Sequence, residues 1–487
     1  MATTQRPTGT AQHQPPEREH LRGRLGVPHL VFTVLAYNAP LAVYAGFLPV
    51  VIAFGNGQGA PTTFVAVGAL LLIFSVGLNA MSRHMKSPGA FYSYISAGLG
   101  RPVGLAGAFT AFLSYVLITI GAYAYGGIVA KALVENLLHG PELPWWLWCL
   151  VFWAVVSVLS MLQIDVSAKV LGISITLEVA IVLAWSLAVV VRGGPGSHPL
   201  DSFTPTAATS GSVPFAIIFG VLCITGFEAL AVFREETKDP VRTVPRATYA
   251  SVALLATLYT VGSLVWLKAF GVDGAIDAGG TDPSGSFTGS VKTYLGSVFA
   301  DLVSVLLVTS VFACLLALHN IASRYVYTLG EDRVIPAALG KVHPRFGSPA
   351  NAALTVAAIM LVGFAGSAVL GIDPLTVYAR AQAVGAVGII MLMAATALAV
   401  VVFFRRHREL DVNLWQSLMS PVLALAGLAT AWYLAVSNMD AVAGSSKGEA
   451  TLFLVLGAVV ILAAVGLALV LRRLRPEVYR RIGKQDV

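Results

Sequence analysis

The chain has 487 residues, of which 57% are hydrophobic and only 11% are charged, and its mean hydropathy is +0.79. Soluble globular proteins carry about 25% charged residues, so this composition excludes an ordinary soluble enzyme. The formal net charge of +7 comes from basic residues spread over short polar segments, which argues against a nucleic-acid partner. The composition therefore predicts a polytopic membrane protein.

Apolar stretches long enough to cross a bilayer follow one another along almost the whole chain. A transmembrane helix needs about 20 mostly apolar residues, and twelve stretches meet this length. The predicted spans are 28–54, 61–82, 103–133, 146–163, 167–192, 213–234, 246–270, 297–323, 350–370, 374–404, 414–436 and 452–472. The fold class expected is an all-α integral membrane protein, with a disordered tail at 1–25 and a C-terminal tail at 473–487.

The basic residues indicate how these spans are oriented. An even number of spans places both termini on one side, and most of the 31 Lys and Arg residues fall on that side. Cytoplasmic loops are enriched in Lys and Arg. We therefore expect a multi-pass protein of the plasma (inner) membrane with cytoplasmic N- and C-termini.

Two spans contain residues that interrupt a helix. The first holds Tyr37-Asn38-Ala39-Pro40, and the sixth holds Ile224-Thr225-Gly226-Phe227-Glu228. Each signal alone is also typical of a proline kink or of a glycine at a close helix contact. Spans 1–5 (26–192) and spans 6–10 (213–404) form two groups with an odd number of helices each. Two such repeats would insert into the membrane with opposite topology. Breaks in matching positions of inverted repeats indicate a transporter's central site.

Three sequence blocks resemble those of amino acid permeases in the amino acid–polyamine–organocation superfamily. The most specific one follows the break in span six, and the others follow spans two and eight. They are Gly226-Phe227-Glu228 with Arg234-Glu235-Glu236-Thr237-Lys238-Asp239-Pro240 and Val244-Pro245-Arg246-Ala247, then Ser87-Pro88-Gly89-Ala90-Phe91-Tyr92-Ser93-Tyr94, and Ser323-Arg324 with Gly330-Glu331-Asp332-Arg333-Val334-Ile335-Pro336. The resemblance implies a LeuT-like five-plus-five inverted repeat with two peripheral helices in 414–472, and alternating-access transport of an amino acid or amine.

The resemblance also implies where the substrate binds, namely between helices 1 and 6. The family's glycine-rich stretch of helix 1 falls on Pro40-Leu41-Ala42, so amides of Leu41, Ala42 and Val43 are expected to receive a substrate carboxylate. The carbonyls of helix 6 are expected to face a substrate ammonium, and Leu222 stands where many members carry a gating aromatic residue. The candidate substrate-binding residues are Asn38, Ala39, Pro40, Leu41, Ala42, Val43, Leu222, Cys223, Ile224, Thr225, Gly226 and Tyr123.

Four charged residues inside or near the spans are candidates for proton coupling or gating. Glu178 lies near the middle of span five, where a carboxylate costs free energy unless it is protonated, paired or hydrated. Glu228 matches the family's G-F-E glutamate and is expected to organise the break or to titrate. Asp301 and Arg380 enter spans eight and ten at similar depth, and we expect them either to pair at an outer gate or to snorkel separately.

These features favour a secondary transporter for a small amino acid or amine, most simply a proton symporter. An exchanger is the alternative within that class, and sodium coupling is less favoured. An intramembrane enzyme around His319 and Asn320, or a substrate sensor, are alternatives from other classes. No cofactor or metal is expected, because Cys149, Cys223 and Cys314 have no ligand-like spacing. The sequence does not indicate the oligomeric state.

Overall fold

The structure, a computed structural model, describes residues 26–85, 90–162, 168–196, 198–228, 230, 237 and 239–483. The predicted tail at 1–25, the polar break after span four and parts of two motif blocks lie outside these residues, namely Ser87-Pro88-Gly89 and most of Arg234–Lys238. The described residues form helices joined by turns and include no β-strand. The chain is therefore all-helical wherever it is described.

The α-helices are numbered in chain order. Those of the first half are α1 (Val27–Asn38), α2 (Pro40–Ala42), α3 (Leu48–Val50), α4 (Ala60–Ser82), α5 (Ala90–Leu99), α6 (Arg101–Ala132), α7 (Trp145–Leu162) and α8 (Ala168–Arg192). Those of the second half are α9 (Pro205–Ala208), α10 (Val213–Ile224), α11 (Pro240–Phe270), α12 (Val272–Thr281), α13 (Pro283–Leu295), α14 (Ser297–Glu331), α15 (Ala350–Val369), α16 (Pro374–Arg406), α17 (Ser420–Ser437), α18 (Met439–Val442), α19 (Lys447–Leu474) and α20 (Pro476–Arg481). Short π-helical and 3₁₀ turns occur at Val43–Phe47, Val51–Asn56, Gly57–Gly59, Leu133–Leu137, Pro199–Phe203, Ala337–Gly340 and Trp415–Met419.

Ten helical segments among the described residues are long and apolar enough to cross a membrane. The first of them, Val27–Ser82, contains the predicted spans 28–54 and 61–82. These two spans are separated at Gly55 and Gly57, where the backbone leaves the helical region and Gly57 has φ +54°. The structure is thus that of a multi-pass membrane protein.

The sixth predicted span, 213–234, is interrupted where the sequence predicts a break. Helix α10 has only 12 residues and ends at Ile224. Thr225 is extended, with ψ 174°, and Gly226 has φ +101°, a value that L-residues with a Cβ rarely adopt. The α-helix therefore ends at the break, within the apolar run.

Helix α6 lies at the centre of the bundle, where it packs against α5, α7, α14 and α16. Small residues permit close approach between α6 and α16, because a Cβ on Gly385 would lie 3.0 Å from the Ser114 carbonyl oxygen. A Cβ on Gly121 would similarly lie 3.1 Å from the carbonyl oxygen of Tyr378. This contact holds the N-terminal part of α16 against α6 beside the first broken helix.

The segment 271–296, between the seventh and eighth predicted spans, contains two helices, α12 and α13. Asp282 begins α13 by accepting a hydrogen bond from the Gly285 amide at 3.0 Å. Phe287 of α13 is fully buried against the rings of Tyr44 and Trp185, and Trp185 Nε1 donates to Ser290 Oγ at 3.1 Å. These helices therefore cover the part of the bundle formed by the first broken helix and α8.

The C-terminal segment is docked against the bundle. Val478 and Ile482 are buried. The Gly483 amide donates to Tyr92 Oη at 2.8 Å, and Tyr92 Oη donates to Asp332 Oδ2 at 2.7 Å. This network ties α5, the end of α14 and the chain terminus together.

Candidate functional site

The first broken helix changes direction at Ala39. Ala39 has φ 48° and ψ 72°, in the left-handed region. Proline disfavours a helical conformation in the residue before it and cannot donate a backbone hydrogen bond. Pro40 therefore ends α1 at Asn38 and begins the short helix α2.

The Asn38 side chain joins this break to the break in the sixth helix. Its Nδ2 donates to the Thr225 carbonyl at 2.8 Å and to the Val34 carbonyl at 2.9 Å. These two bonds use both amide hydrogens and leave Oδ1 as the remaining polar atom of the side chain. The two breaks therefore lie directly opposite each other, as the sequence predicts for paired interruptions.

The break after α10 is organised by Glu228. Its Oε2 accepts from the Gly226 amide at 2.7 Å, and its Oε1 accepts from Tyr115 Oη at 3.0 Å. Gly226 packs directly on the Tyr37 ring, so a Cβ at this position would overlap it. Glu228 is buried, and its contacts connect the second break to α6.

Glu178 makes the corresponding contacts at the first break. Its Oε2 accepts from Ser310 Oγ at 2.7 Å and from the Leu41 amide at 3.4 Å, and its Oε1 accepts from Ser174 Oγ at 3.4 Å. Only 2% of Glu178 is exposed. This carboxylate therefore links α8, α14 and the start of the second half of the broken helix.

The amides expected to receive a substrate carboxylate have other partners in this structure. The Leu41 amide donates to Glu178, and the Val43 amide donates to the Ala39 carbonyl at 3.1 Å. Two of the three amides expected to receive a carboxylate thus have partners within the protein, and the residue of the third, Ala42, lines the cavity described below. At Leu41 the partner is itself a carboxylate, that of Glu178.

A small cavity of about 50 Å³ lies beside the two breaks. Of the predicted substrate-binding residues, Asn38, Ala39, Ala42, Val43, Leu222 and Cys223 line it. Pro40, Leu41, Ile224, Thr225, Gly226 and Tyr123 do not line it, although five of them form the breaks themselves. The other lining residues are Tyr37, Phe47, Ile118, Ala122, Tyr125, Val311, Cys314, Leu318, Tyr378 and Gln382.

Three buried polar atoms of this lining have no hydrogen-bond partner among the described residues. They are Tyr125 Oη, Tyr378 Oη and Gln382 Oε1. The Tyr125 and Tyr378 rings stack with centroids 5.0 Å apart, and Phe47 meets Tyr378 edge-on at 5.4 Å. Buried polar groups are normally paired, so these atoms indicate a place where a ligand or water binds.

Gln382 and Tyr378 are not among the candidate residues identified from the sequence. A usable signal was present, because the two residues are four positions apart and therefore share one face of α16. Tyr123 was chosen instead, but its ring packs on Phe364 at 5.4 Å and is absent from the cavity wall. Tyr125, two residues further along α6, faces the cavity instead.

Of the two alternatives expected for Arg380 and Asp301, pairing and separate positions, the structure shows no pair between them. Arg380 Nη1 lies 3.0 Å from Glu449 Oε1 of α19, and Asp301 is exposed without an ion pair among the described residues. The sequence positions of the two residues predict a similar depth in the membrane, but they do not show which faces of α14 and α16 are in contact. Neither residue lines the cavity.

No group of three His, Cys, Asp or Glu side chains in the described ranges could hold a metal ion. His319 is buried, and its Nε2 lies 3.2 Å from the Ala353 carbonyl oxygen. Asn320, its neighbour in sequence, is exposed. The geometry around the cavity is therefore that of a binding site made of backbone breaks, aromatic rings and amide groups.

Comparison with known proteins identifies the class of this site. The family described as amino acid permease matches residues 29–479. The chain belongs to the amino acid permease family. Because this family and its relatives are transporters, the permease is a membrane transporter and the alternative of an intramembrane enzyme is wrong.

The names of the relatives of the permease mention different substrates. It is 26% identical over 352 residues to the low-affinity putrescine importer PlaP of Escherichia coli (strain K12), covering 71% of the permease and 75% of that protein. It is 26% identical over 360 residues to the branched-chain amino acid permease BcaP of Lactococcus lactis, covering 69% and 73%. It is 22% identical over 344 residues to the gamma-aminobutyric acid permease of Bacillus subtilis, covering 68% and 70%. These names include both an amine and amino acids.

Proposed function

We propose that the permease is a secondary active transporter that moves a small amino acid or related amine across the plasma membrane by alternating access. The observation that carries this proposal is the Asn38–Thr225 hydrogen bond, which joins two opposed helix breaks beside a cavity. The proposed architecture has twelve transmembrane helices, with inverted repeats at 26–192 and 213–404, peripheral helices at 414–472 and cytoplasmic termini. Binding at a junction of broken helices fits transporters built from such repeats.

The end of α10 is the proposed site for the substrate ammonium group. The last four carbonyls of a helix lack partners within it, and the helix dipole places partial negative charge at this end. Thr225 donates through both its amide and its hydroxyl to the Leu222 carbonyl, at 3.4 and 2.8 Å. Within the described part of the chain no hydrogen bond from beyond α10 reaches the carbonyls of Cys223 and Ile224, which are therefore proposed to accept from a ligand.

Glu178 is the proposed proton carrier. As an anion it can accept from Leu41 and Ser310 at once, which holds the broken helix against α14. Protonation adds a hydrogen that itself needs an acceptor and weakens these bonds. Proton binding would therefore loosen one side of the break, which provides a route from protonation to helix movement.

Sodium coupling is less favoured by the same contacts. A sodium ion is coordinated by the lone pairs of oxygen atoms. The Glu178 carboxylate already uses lone pairs to accept hydrogen bonds from an amide and from hydroxyl groups. Exchange without a coupling ion is the second candidate, because it uses the same broken helices and cavity. Neither coupling mode changes where the substrate is proposed to bind.

The experiment is uptake of labelled amines and amino acids into proteoliposomes, with an inward proton gradient, an inward sodium gradient or no gradient. Glu178→Gln is compared with the wild type and with Glu142→Gln, which changes an exposed carboxylate. We expect the proton gradient to drive accumulation in the wild type and in Glu142→Gln. Glu178→Gln should retain exchange of preloaded substrate but lose accumulation.

Other outcomes separate the alternatives. Uptake that occurs only against preloaded substrate, and that Glu178→Gln leaves unchanged, would identify an exchanger. Accumulation that follows the sodium gradient would show that sodium, and not the proton, is the coupling ion. Absence of uptake for every compound in every condition would contradict the proposed function itself.

A further inference from the structure

We infer that the cavity selects an amine cation without a carboxylate group, because Glu178 occupies the Leu41 amide, one of the three amides expected to receive a substrate carboxylate. This inference rests on the proposed function and narrows its substrate class. It predicts that a decarboxylated amine is preferred over the amino acid from which it is formally derived.

The first step concerns donors at the helix 1 break. A helix N-terminus binds anions through free amides and its positive dipole end. Here the Leu41 amide donates to Glu178, which brings a carboxylate from within the protein, and the Val43 amide is bonded to the Ala39 carbonyl, so two of the three expected amides are already engaged. An incoming substrate carboxylate would have to displace Glu178 and would meet its negative charge.

The second step concerns counter-ions. None of the described residues that line the cavity is Lys, Arg or His. A carboxylate moved into such a site loses its hydration and gains no opposite charge in return. The described part of the cavity wall therefore offers a substrate carboxylate no cationic counter-ion, and the unpartnered donors there are the neutral hydroxyls of Tyr125 and Tyr378.

The third step concerns the polar atoms that remain. Asn38 donates both amide hydrogens to backbone carbonyls, and Gln382 Nε2 donates to the Ile118 carbonyl at 3.4 Å. Asn38 therefore has only its oxygen left to accept, and Gln382 Oε1 has no partner among the described residues. Oxygen acceptors suit an ammonium group, which only donates.

The aromatic residues of the wall favour the same ligand. The rings of Phe47, Tyr125 and Tyr378 form a contiguous cluster beside Gln382 in the cavity lining. Aromatic faces attract cations and also pack against aliphatic chains. The cavity therefore matches an organic cation with an apolar body.

The test compares matched pairs that differ by one carboxylate, with the full-length permease in proteoliposomes. The pairs are putrescine and ornithine, agmatine and arginine, and 3-methylbutylamine and leucine. Binding is measured by thermal stabilisation in parallel with uptake. For at least one pair, we expect the amine to bind and to be transported at a concentration at least about tenfold lower than its amino acid.

Two variants separate the effect of the Glu178 side chain as an acceptor from the effect of its negative charge. Glu178→Ala frees the Leu41 amide, so the preference for the amine should fall toward parity or reverse. Glu178→Gln keeps an oxygen that can accept from Leu41, so it should keep more of the preference than Glu178→Ala does. Glu142→Gln is the control and should keep the wild-type ratio.

Amino acids that bind as well as or better than their amines in the wild type would overturn the inference and leave the proposed function standing. An amine preference in binding without uptake would support the inference and contradict transport. If no member of any pair binds, both the inference and the proposed function fail.

Discussion

Ala39 carries a backbone conformation that is unfavourable for a residue with a Cβ. A left-handed conformation costs about 1–2 kcal/mol for an L-residue. Pro40 makes the helical alternative unfavourable at the same position, and Asn38 holds the break through its bond to Thr225. The strain is thus balanced by contacts that exist only when both breaks are formed.

Gly226 permits the second break, and we expect Gly226→Ala to abolish transport. Alanine would have to adopt φ +101° and would overlap the Tyr37 ring. The conformational part alone should lower the free energy of unfolding by about 1–2 kcal/mol. The measurements are uptake in proteoliposomes and the melting temperature in detergent.

Gly457→Ala is the matched control, because nothing lies within 4 Å of the added Cβ on α19. It should keep both uptake and melting temperature. Full uptake by Gly226→Ala would contradict the role of this break.

At the level of elements, local chemistry made the two breaks predictable. Proline after Ala39 and glycine at 226 act on their own backbone, so their effects are readable from the sequence. The partners of Glu178 and the exposure of Gln382 to the cavity depend on how α8, α14 and α16 pack. This packing cannot be predicted from the position of a single residue in the sequence. Helices α12 and α13 were missed because their polar, glycine-rich sequence lacks the apolar periodicity of a span.

The docked C-terminal segment is an element that can be tested alone. Tyr92→Phe removes the hydroxyl that donates to Asp332 and accepts from the Gly483 amide. Loss of these buried bonds should lower the free energy of unfolding by about 1–3 kcal/mol. We expect a lower melting temperature and faster proteolysis of the segment after α19.

Tyr433→Phe is the control, since this tyrosine is 66% exposed. It should change neither melting temperature nor proteolysis. An unchanged C-terminal cleavage rate in Tyr92→Phe would show that the hydroxyl network does not hold the segment.

For the whole molecule, the family and its helical architecture establish a multi-pass transporter, while the orientation is a proposal from the Lys and Arg distribution. It predicts that the α16–α17 connection is cytoplasmic and the α17–α19 connection is external. In a background without Cys149, Cys223 and Cys314, an impermeant maleimide should label Ala441→Cys in intact cells. Glu409→Cys should be labelled only after permeabilisation, and the reverse pattern would contradict the orientation.

The central claim is that transported substrate occupies the cavity between the breaks. Its most direct test uses Cys223, which lines the cavity, in a variant where Cys149 and Cys314 are replaced by alanine. The rate at which a small thiol reagent modifies Cys223 is measured with and without substrate, together with uptake after modification, and Cys223→Ser serves as the control. We predict that substrate slows modification, that modification stops uptake, and that Cys223→Ser resists the reagent. Uptake that survives complete modification, with no protection by substrate, would contradict the claim.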